Sequence, residues 1–508
     1  MLVSGQWAVR FRAARLSLSV LALSTPVLAQ VAPKAPAASP ALAPAAAPAV
    51  AQGSAQAPAA ATAPVLPPPE PSPAAVSTPP APEQPLPPAA VVLPELPPAH
   101  TEPAAPAASP VREEDWYDAF DLRVFADSYL SVNYNAPKPQ SSGNGVIRAF
   151  DTSNGFAVAW AGLDISHAAE PIGGALSLRF GPSAQRYNSS CAGKCDSDYG
   201  LANVKQAYAS FRPGGKTSPI TLDFGKFDTI YGAEVADSQD NINYTRGVLY
   251  WLGQPAFHTG LRANLEVTQN LSARALVVNG WNNTIDNNTG KTFGAQLTAH
   301  APRADSKEWV SASLGYLGGP ERDDTVNVQC SAGNVFDANS GNGCSPGTNR
   351  SSSGTLDRPG NNSSGWRHFF DLLITSDPSD ALHLVLNADY TVEKQRDSDF
   401  VSSFTSHAWF GAMLGARYLV CEKFAVAGRA EIYRDKDGIT TGSVRGIPIT
   451  GATISTGTMT LDYLPSKNLL VRLDNRLDAS TKQIFPKGVR EFSGTLFTTT
   501  LGVVVTTN

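Results

Sequence analysis

The chain lacks long apolar runs and is poor in charge. Only 16% of its 508 residues are Asp, Glu, Lys or Arg, and the formal net charge is −5. This balance excludes a strongly basic protein that binds nucleic acid through phosphate contacts. The sequence also has no apolar stretch of about 20 residues, the length that an α-helix needs to cross a bilayer. A protein built of membrane-spanning helices is therefore excluded as well.

Motifs of enzymatic and cofactor chemistry are also missing. The seven histidines are scattered, and neither a Gly-x-Ser-x-Gly elbow nor a His-Glu-x-x-His helix occurs. Gly-x-Gly strings such as Gly341-Asn342-Gly343 lie in loop-like sequence without a following helix, so they do not indicate nucleotide binding. We expect no catalytic residue, no metal site and no cofactor.

The N-terminal part predicts export followed by a linker. Three arginines, an apolar run from Leu16 to Leu23 and the small-residue site Val27-Leu28-Ala29 are typical of a signal peptide over 1–29. Residues 30–112 contain more than half of the 40 prolines, interleaved with alanine, which predicts a disordered linker. This linker is either a spacer or arm that contacts peptidoglycan on the periplasmic side, or simply solvated disorder.

Export makes disulfide bonds possible, and four of the five cysteines occur as two pairs that are close in sequence. Cys191 and Cys195 lie in one Gly/Ser/Asn-rich segment, and Cys330 and Cys344 lie in another. Two disulfides, each within its own loop, are the simple interpretation, because a metal site would need further ligands. Cys421 is then left over.

From Asp121 onward the dominant pattern is alternation with period two. Between 381 and 393, for example, Leu382, Leu384 and Leu386 fall on one face of an extended segment, and His383 and Asp389 fall on the other. Sixteen segments with this pattern occur, at approximately 122–134, 156–167, 172–180, 203–211, 219–226, 257–267, 270–279, 291–300, 308–317, 365–375, 381–391, 406–419, 423–433, 452–463, 468–477 and 492–505.

The connections between these segments are short on one side and long on the other. Brief turns such as 268–270 and 377–380 alternate with loops such as 135–155, 182–202, 227–256 and 318–364. An even strand number with this asymmetry predicts a closed antiparallel transmembrane β-barrel over 113–508 in an outer membrane. A soluble all-β sandwich is the alternative, but the inner faces of a sandwich are dry and would not carry Arg and Asp on strand after strand.

A barrel of about sixteen strands is wide enough for a water-filled channel, which favours passive diffusion of small hydrophilic solutes and ions. Polar residues on the inward-facing strand positions carry both charge signs: Asp127, Arg179, Asp223, Arg262, Glu266, Arg274, Asp371, Asp389, Arg429, Glu431, Arg472, Asp474 and Arg476. They either set a field across the pore or form salt bridges that stiffen the wall.

The loop 227–256 is the candidate constriction. It mixes the acids Glu234, Asp237 and Asp240 with Arg246 and several aromatic residues, a composition that does not suggest disorder. We expect it to fold into the barrel with its acids facing wall residues such as Arg262 and Arg274. An external lid is the competing interpretation.

Ordered motifs carry a family resemblance. They are Asp223-Phe224-Gly225-Lys226-Phe227, Tyr231-Gly232-Ala233-Glu234, His258-Thr259-Gly260-Leu261-Arg262, Asn279-Gly280-Trp281-Asn282 and the late segments 429–435 and 472–478. With them, the chain resembles the OmpL-like β-barrel porins of bacterial outer membranes over about 120–508. The resemblance implies passive uptake through an outer-membrane channel, and it transfers no substrate-defining residue.

Other functions stay open at this point. The barrel can be an anchor whose arm 30–112 contacts the cell wall, or an outer-membrane hydrolase whose catalytic groups meet only in the folded barrel. A homotrimer is expected only by analogy with general porins. The expected partners are outer-membrane lipid and small solutes, with no nucleic acid.

Overall fold

The computed structural model describes residues 119–138, 154–188, 200–303, 308–331, 334–337, 344–347, 352–358, 361–397, 403–444, 447–489 and 491–507. The expected signal peptide 1–29, the expected linker 30–112 and the expected pair Cys191 and Cys195 lie outside these residues.

Within the described ranges, sixteen antiparallel strands form one closed barrel. In chain order they are β1 (Phe120–Asn133), β2 (Asn154–His167), β3 (Ile172–Phe180), β4 (Val204–Phe211), β5 (Ile220–Asp228), β6 (Phe257–Thr268), β7 (Leu271–Val278), β8 (Thr292–Pro302), β9 (Glu308–Pro320), β10 (Trp366–Ser379), β11 (Leu382–Arg396), β12 (Phe404–Cys421), β13 (Phe424–Asp435), β14 (Ala452–Ser466), β15 (Leu469–Ser480) and β16 (Thr495–Thr506). Each strand pairs with its neighbours in the chain, and β1 pairs with β16 to close the barrel.

Each of the sixteen predicted segments forms one of these strands, so the fold class is confirmed. One predicted segment, 492–505 at the C-terminal end, is interrupted at Gly494. Here Glu491–Ser493 pairs with Phe485–Lys487 in the preceding loop, and β16 starts only at Thr495.

The period-two pattern gives the wall two chemically different faces. The outer face exposes large apolar side chains, including Phe224, Leu314 and Leu414 at 71%, 64% and 61%. The inner face carries charged and polar side chains. Hydrocarbon offers no hydrogen-bond partner to an open sheet edge, so only a closed barrel satisfies the backbone of every strand in the membrane.

The aromatic residues of the strands lie in different environments. Trp309 and Tyr418 are half exposed on the outside of the barrel, whereas Trp160 is fully buried.

The strand connections differ at the two ends of the barrel. Tight turns such as 269–270, 380–381, 422–423 and 467–468 lie at one end, and the loops 134–153, 181–203, 229–256, 279–291 and 321–365 lie at the other. The loops contain helix α1 (Pro182–Tyr187), helix α2 (Asn361–Ser364), 3-10 turns (Leu201–Asn203 and Ser238–Asp240) and a π-helical turn (Leu249–Gly253). No helix in the described part of the chain is long and apolar enough to cross a membrane.

The loop 321–365 is organised by its own backbone and one disulfide. Thr325–Gln329 pairs with Ser353–Asp357, and Asn334–Phe336 pairs with Cys344–Pro346. Cys330 is bonded to Cys344, as the sequence predicts, with 5.7 Å between their Cα atoms. Of the described cysteines, Cys421 is free and exposed.

Candidate functional site

The loop 229–256 connects β5 to β6, and it contacts the inner face of the barrel on strands all around the wall. The Gly232 amide donates to Asp371 of β10 at 3.2 Å, and the Tyr244 hydroxyl donates to Asp127 of β1 at 2.7 Å. The Thr245 amide donates to Asp474 of β15 at 2.8 Å. Because these strands lie around a closed barrel, the loop that reaches all of them lies inside it. We call this segment the inner loop.

The middle part of the inner loop is held by an ion cluster around Asp237. The Arg179 guanidinium on β3 donates to both carboxylate oxygens, at 3.0 and 2.9 Å, and the Lys205 ammonium on β4 lies 3.0 Å away. Burial alone would raise the pKa of Asp237, but Lys205 and Arg179 reverse this and hold the pKa well below its ordinary value. Asp237 is therefore a fixed negative charge on the inner loop.

Arg123 of β1 extends this cluster toward solvent. It pairs with Asp164 of β2 at 2.9 Å and with Asp240 of the inner loop at 3.2 Å. The Arg123 and Asp240 side chains are 30% and 41% exposed, in contrast to the fully buried Arg179. Arg123 and Asp240 are therefore the charged groups of this cluster that contact solvent.

A second cluster is centred on Arg429 of β13. Its guanidinium contacts Glu234 of the inner loop at 2.5 Å, Glu431 at 3.1 Å and the carbonyl oxygen of Thr245 at 2.6 Å. The two glutamates also accept inner-loop amides, from Gly247 and Leu249 respectively. Burial raises the pKa of Glu234 despite the adjacent Arg429.

Arginines of β15 bind the backbone of the inner loop. Arg472 pairs with Asp462 at 3.0 Å and donates to the carbonyl oxygen of Ser238 at 2.6 Å. Arg476 pairs with Asp478 and donates to the carbonyl oxygen of Arg246, also at 2.6 Å. Both carbonyl groups thus receive a charged donor from the barrel wall.

Arg246, the remaining candidate residue of the inner loop, binds helix α1 and the backbone of the loop itself. Its guanidinium donates to the Tyr187 hydroxyl of α1 at 3.0 Å and to the Tyr244 carbonyl oxygen at 2.8 Å. The Tyr244 hydroxyl in turn binds Asp127. Arg246 therefore joins helix α1 to the inner loop.

The expectation that Arg262 and Arg274 face the acids of the inner loop is wrong. Arg262 pairs with Asp223 on the adjacent strand β5 at 2.9 Å, and Arg274 donates to Gln296 on β8 at 3.2 Å. Glu266 lies exposed near the short turns. The inner loop starts and ends on β5 and β6, so its middle part, which carries the acids, reaches across the lumen to other strands.

Two basic residues of the Asp237 cluster, Arg123 and Lys205, were not among the candidate residues identified from the sequence. Only one of them could have been found from the sequence pattern. Arg123 has the same strand parity as Asp127, so alternation in β1 already places it on the inner face. Lys205 sits at a β-bulge, because the register of β3 with β4 passes from Gln206 directly to Val204. A bulge breaks the alternation and is not encoded by period two.

The closed sixteen-stranded barrel, apolar outside and charged inside, defines an outer-membrane channel. A family model described as "Putative beta-barrel porin-2, OmpL-like" matches residues 120–506. The chain belongs to this family, and it is an outer-membrane porin.

Solved structures with a similar chain trace include several outer-membrane proteins. The outer-membrane channel DcaP of Acinetobacter baumannii is 11% identical, with a TM-score of 0.45 over 76% of this chain and 96% of that chain. OprB of Pseudomonas putida is 14% identical, with a TM-score of 0.44 over 77% and 94%. A loop L8 deletion mutant of OmpT of Vibrio cholerae is 12% identical, with a TM-score of 0.43 over 76% and 98%. No curated protein matches the chain.

Proposed function

We propose that the inner loop forms the constriction of this porin, and that small hydrophilic solutes and ions diffuse past it. The observation that carries the proposal is its set of contacts to inner-face residues on β1, β3, β10, β13 and β15. A segment anchored on so many sides narrows the lumen at a fixed position, as a mobile lid would not.

Ion preference in this proposal depends on the charges that still reach water at the inner loop. The opposite charges of buried pairs such as Arg179 with Asp237 offset each other away from water, whereas Arg123 and Asp240 are partly exposed. Fixed charges at a narrow point weight the passing ions by sign. Arg123 and Asp240 are thus the selectivity residues of the proposed constriction.

Single-channel conductance of the refolded, signal-free protein in a planar bilayer tests the proposal, with a salt gradient to measure the reversal potential. Arg123→Gln should shift selectivity toward cations and Asp240→Asn toward anions, each in steady open steps. Glu422→Gln, an exposed change in a short turn, is the matched control, because salt screens a charge over about 10 Å at 0.1 M.

Equal reversal potentials in Arg123→Gln and Asp240→Asn would show that Arg123 and Asp240 do not lie at the narrowest point of the channel. A barrel that inserts but carries no current would refute diffusion and would favour the anchor role for the arm 30–112.

We also propose that the protein is not an enzyme. The nearest approach to a catalytic triad in the described residues is His300, with Ser311 at 3.4 Å and Glu308 at 3.3 Å. Both partners approach the same ring atom, Nδ1, whereas a triad needs the nucleophile and the acid on different nitrogens. Hydrolysis of ester or phospholipid substrates that is lost in Ser311→Ala would overturn this proposal.

By analogy with general porins, we propose that the barrel forms a homotrimer. The contact of the arm 30–112 with peptidoglycan is a separate proposal, which rests on the Pro/Ala-rich composition of the arm. Native mass spectrometry of the full chain and of a chain without 30–112 tests the trimer. Sedimentation of each chain with purified cell wall tests the arm.

A further inference from the structure

Two aspartates face each other on the wall beneath the inner loop. Asp371 of β10 and Asp389 of β11 are direct cross-strand partners, and they are only 3% and 4% exposed. The Asn387 amide donates to the Oδ1 atoms of both, at 2.8 and 3.1 Å, and the Gly232 amide also donates to Asp371 Oδ1. Outside the pair itself, the Oδ2 atom of each aspartate has no hydrogen-bond donor among the described residues.

The charge of this pair is not balanced by the protein. Every buried acid of the inner loop, Glu234 and Asp237, has an arginine or lysine partner. By contrast, no Lys, Arg or His in the described part of the chain forms an ion pair with Asp371 or Asp389. Like charges directly opposite on neighbouring strands repel, and burial increases the cost of leaving them uncompensated.

Further unpartnered polar groups lie at the same place. Gln254 of the inner loop is 3% exposed, and neither its Oε1 nor its Nε2 has a partner within the described ranges. Its amide lies against Gly232, the residue bound to Asp371, so that a Cβ at Gly232 would collide with Gln254 Oε1. Thr391, the next inward position on β11 after Asp389, also has an unpartnered hydroxyl.

We propose that Asp371 and Asp389 bind a hard divalent cation, with Gln254 and Thr391 contacting it directly or through its water shell. The donors are all oxygens, which Ca²⁺ and Mg²⁺ prefer and transition metals do not. A single proton shared by the carboxyl groups would satisfy their Oδ2 atoms but would leave Gln254 and Thr391 unpartnered. A hydrated cation accounts for these two side chains as well, through Gln254 Oε1 and the Thr391 hydroxyl oxygen.

The cation adds a link between the inner loop and strands β10 and β11, which goes beyond the proposed constriction. Within the described residues no group of three or more His, Cys, Asp or Glu is arranged to hold a metal ion, so the site has two carboxylates only. We expect weak binding, with a Kd of about 10⁻⁴–10⁻³ M for Ca²⁺, the range of extracellular calcium modules.

Isothermal titration calorimetry of Ca²⁺ into the full chain, refolded in detergent with sodium chloride present, tests the proposal. We expect saturable binding by the wild type and an affinity at least about tenfold lower for Asp389→Asn, because one of two charged ligands is lost. Asp223→Asn is the matched control: Asp223 is also buried on the inner face but pairs with Arg262, so binding should not change.

Two results would overturn the proposal. Ca²⁺ binding that Asp389→Asn leaves intact would place the ion elsewhere on the chain. No Ca²⁺ binding, together with an Asp389→Asn variant as stable as the wild type, would show that a proton bridges the pair.

If Asp389→Asn does not fold, Gln254→Met replaces it, with a several-fold weaker affinity expected and an unchanged affinity counting against the site. Conductance is measured on the same preparations. A silent barrel that binds Ca²⁺ would refute the channel proposal alone.

Discussion

The inner loop 229–256 and the outer loop 321–365 are ordered in opposite ways. The inner loop has little secondary structure of its own and takes its shape from charged groups on the barrel wall, such as Arg179 and Arg429. The outer loop builds two hairpins and closes them with the bond between Cys330 and Cys344. A loop inside a closed wall can take donors and acceptors from the wall along its whole length, whereas the part of a loop that extends beyond the wall must supply its own.

The largest expected effect comes from removing Arg429. Arg429→Met leaves Glu234 and Glu431 buried without a cation, and breaking a buried ion pair in this way costs about 3–5 kcal/mol. Urea unfolding of the barrel in detergent should show this loss, together with noisier open-channel current. Arg434→Met, an exposed change on the same strand, is the control. Equal stability of the two variants would contradict wall-dependent ordering of the inner loop.

A smaller and strictly local effect is expected from the disulfide. Replacing Cys330 and Cys344 by serine frees a loop with a sequence separation of 14 residues, which costs that loop about 3 kcal/mol. Limited proteolysis should cut within 321–365 while the barrel resists urea as before. Loss of barrel stability in the double variant would show that the outer loop also depends on the wall.

The smallest expected effect is a pH dependence where the outer loop meets the loop 279–291. Glu321 accepts hydrogen bonds from the Trp281 amide and the Thr292 hydroxyl, and burial raises its pKa from 4.5 to about 7, against the opposing charge of Arg367. Because the folded state binds this proton more tightly, its stabilisation is present at low pH and is lost as pH rises from about 4.5 through 7.

Hydrogen exchange of the loop 279–291 at several pH values measures this dependence. In the wild type, the protection of these amides against exchange should fall as pH rises from about 4.5 to 7. In Glu321→Gln, which cannot titrate, the protection should not change over this pH range. A wild type whose protection does not change between pH 4.5 and 7 would show that Glu321 stays ionised.

Much of the fold follows from local sequence. Period-two alternation is a property of each extended segment, so the sixteen strands and their apolar outer faces could be identified one at a time. The bond between Cys330 and Cys344 follows from an isolated pair of cysteines within one polar segment. The family motifs likewise lie within single strands and loops.

Which residues pair with each other at the candidate site, by contrast, depends on the path of the chain through the closed barrel. The composition of 227–256 indicated a constriction, yet its acids pair with Arg123, Arg179, Lys205 and Arg429 rather than with Arg262. Those partners are set by where a loop anchored on β5 and β6 crosses the lumen. Lys205 joins them because of a bulge.

The sequence by itself therefore determined the number of strands, their two faces, the disulfide of the outer loop and the family. Only the tertiary structure decided which charges meet at the inner loop, and it alone placed Asp371 directly opposite Asp389. The physical reason is range: alternation acts between residues i and i+2, whereas register, bulges and ion pairs depend on segments brought together by closure of the barrel.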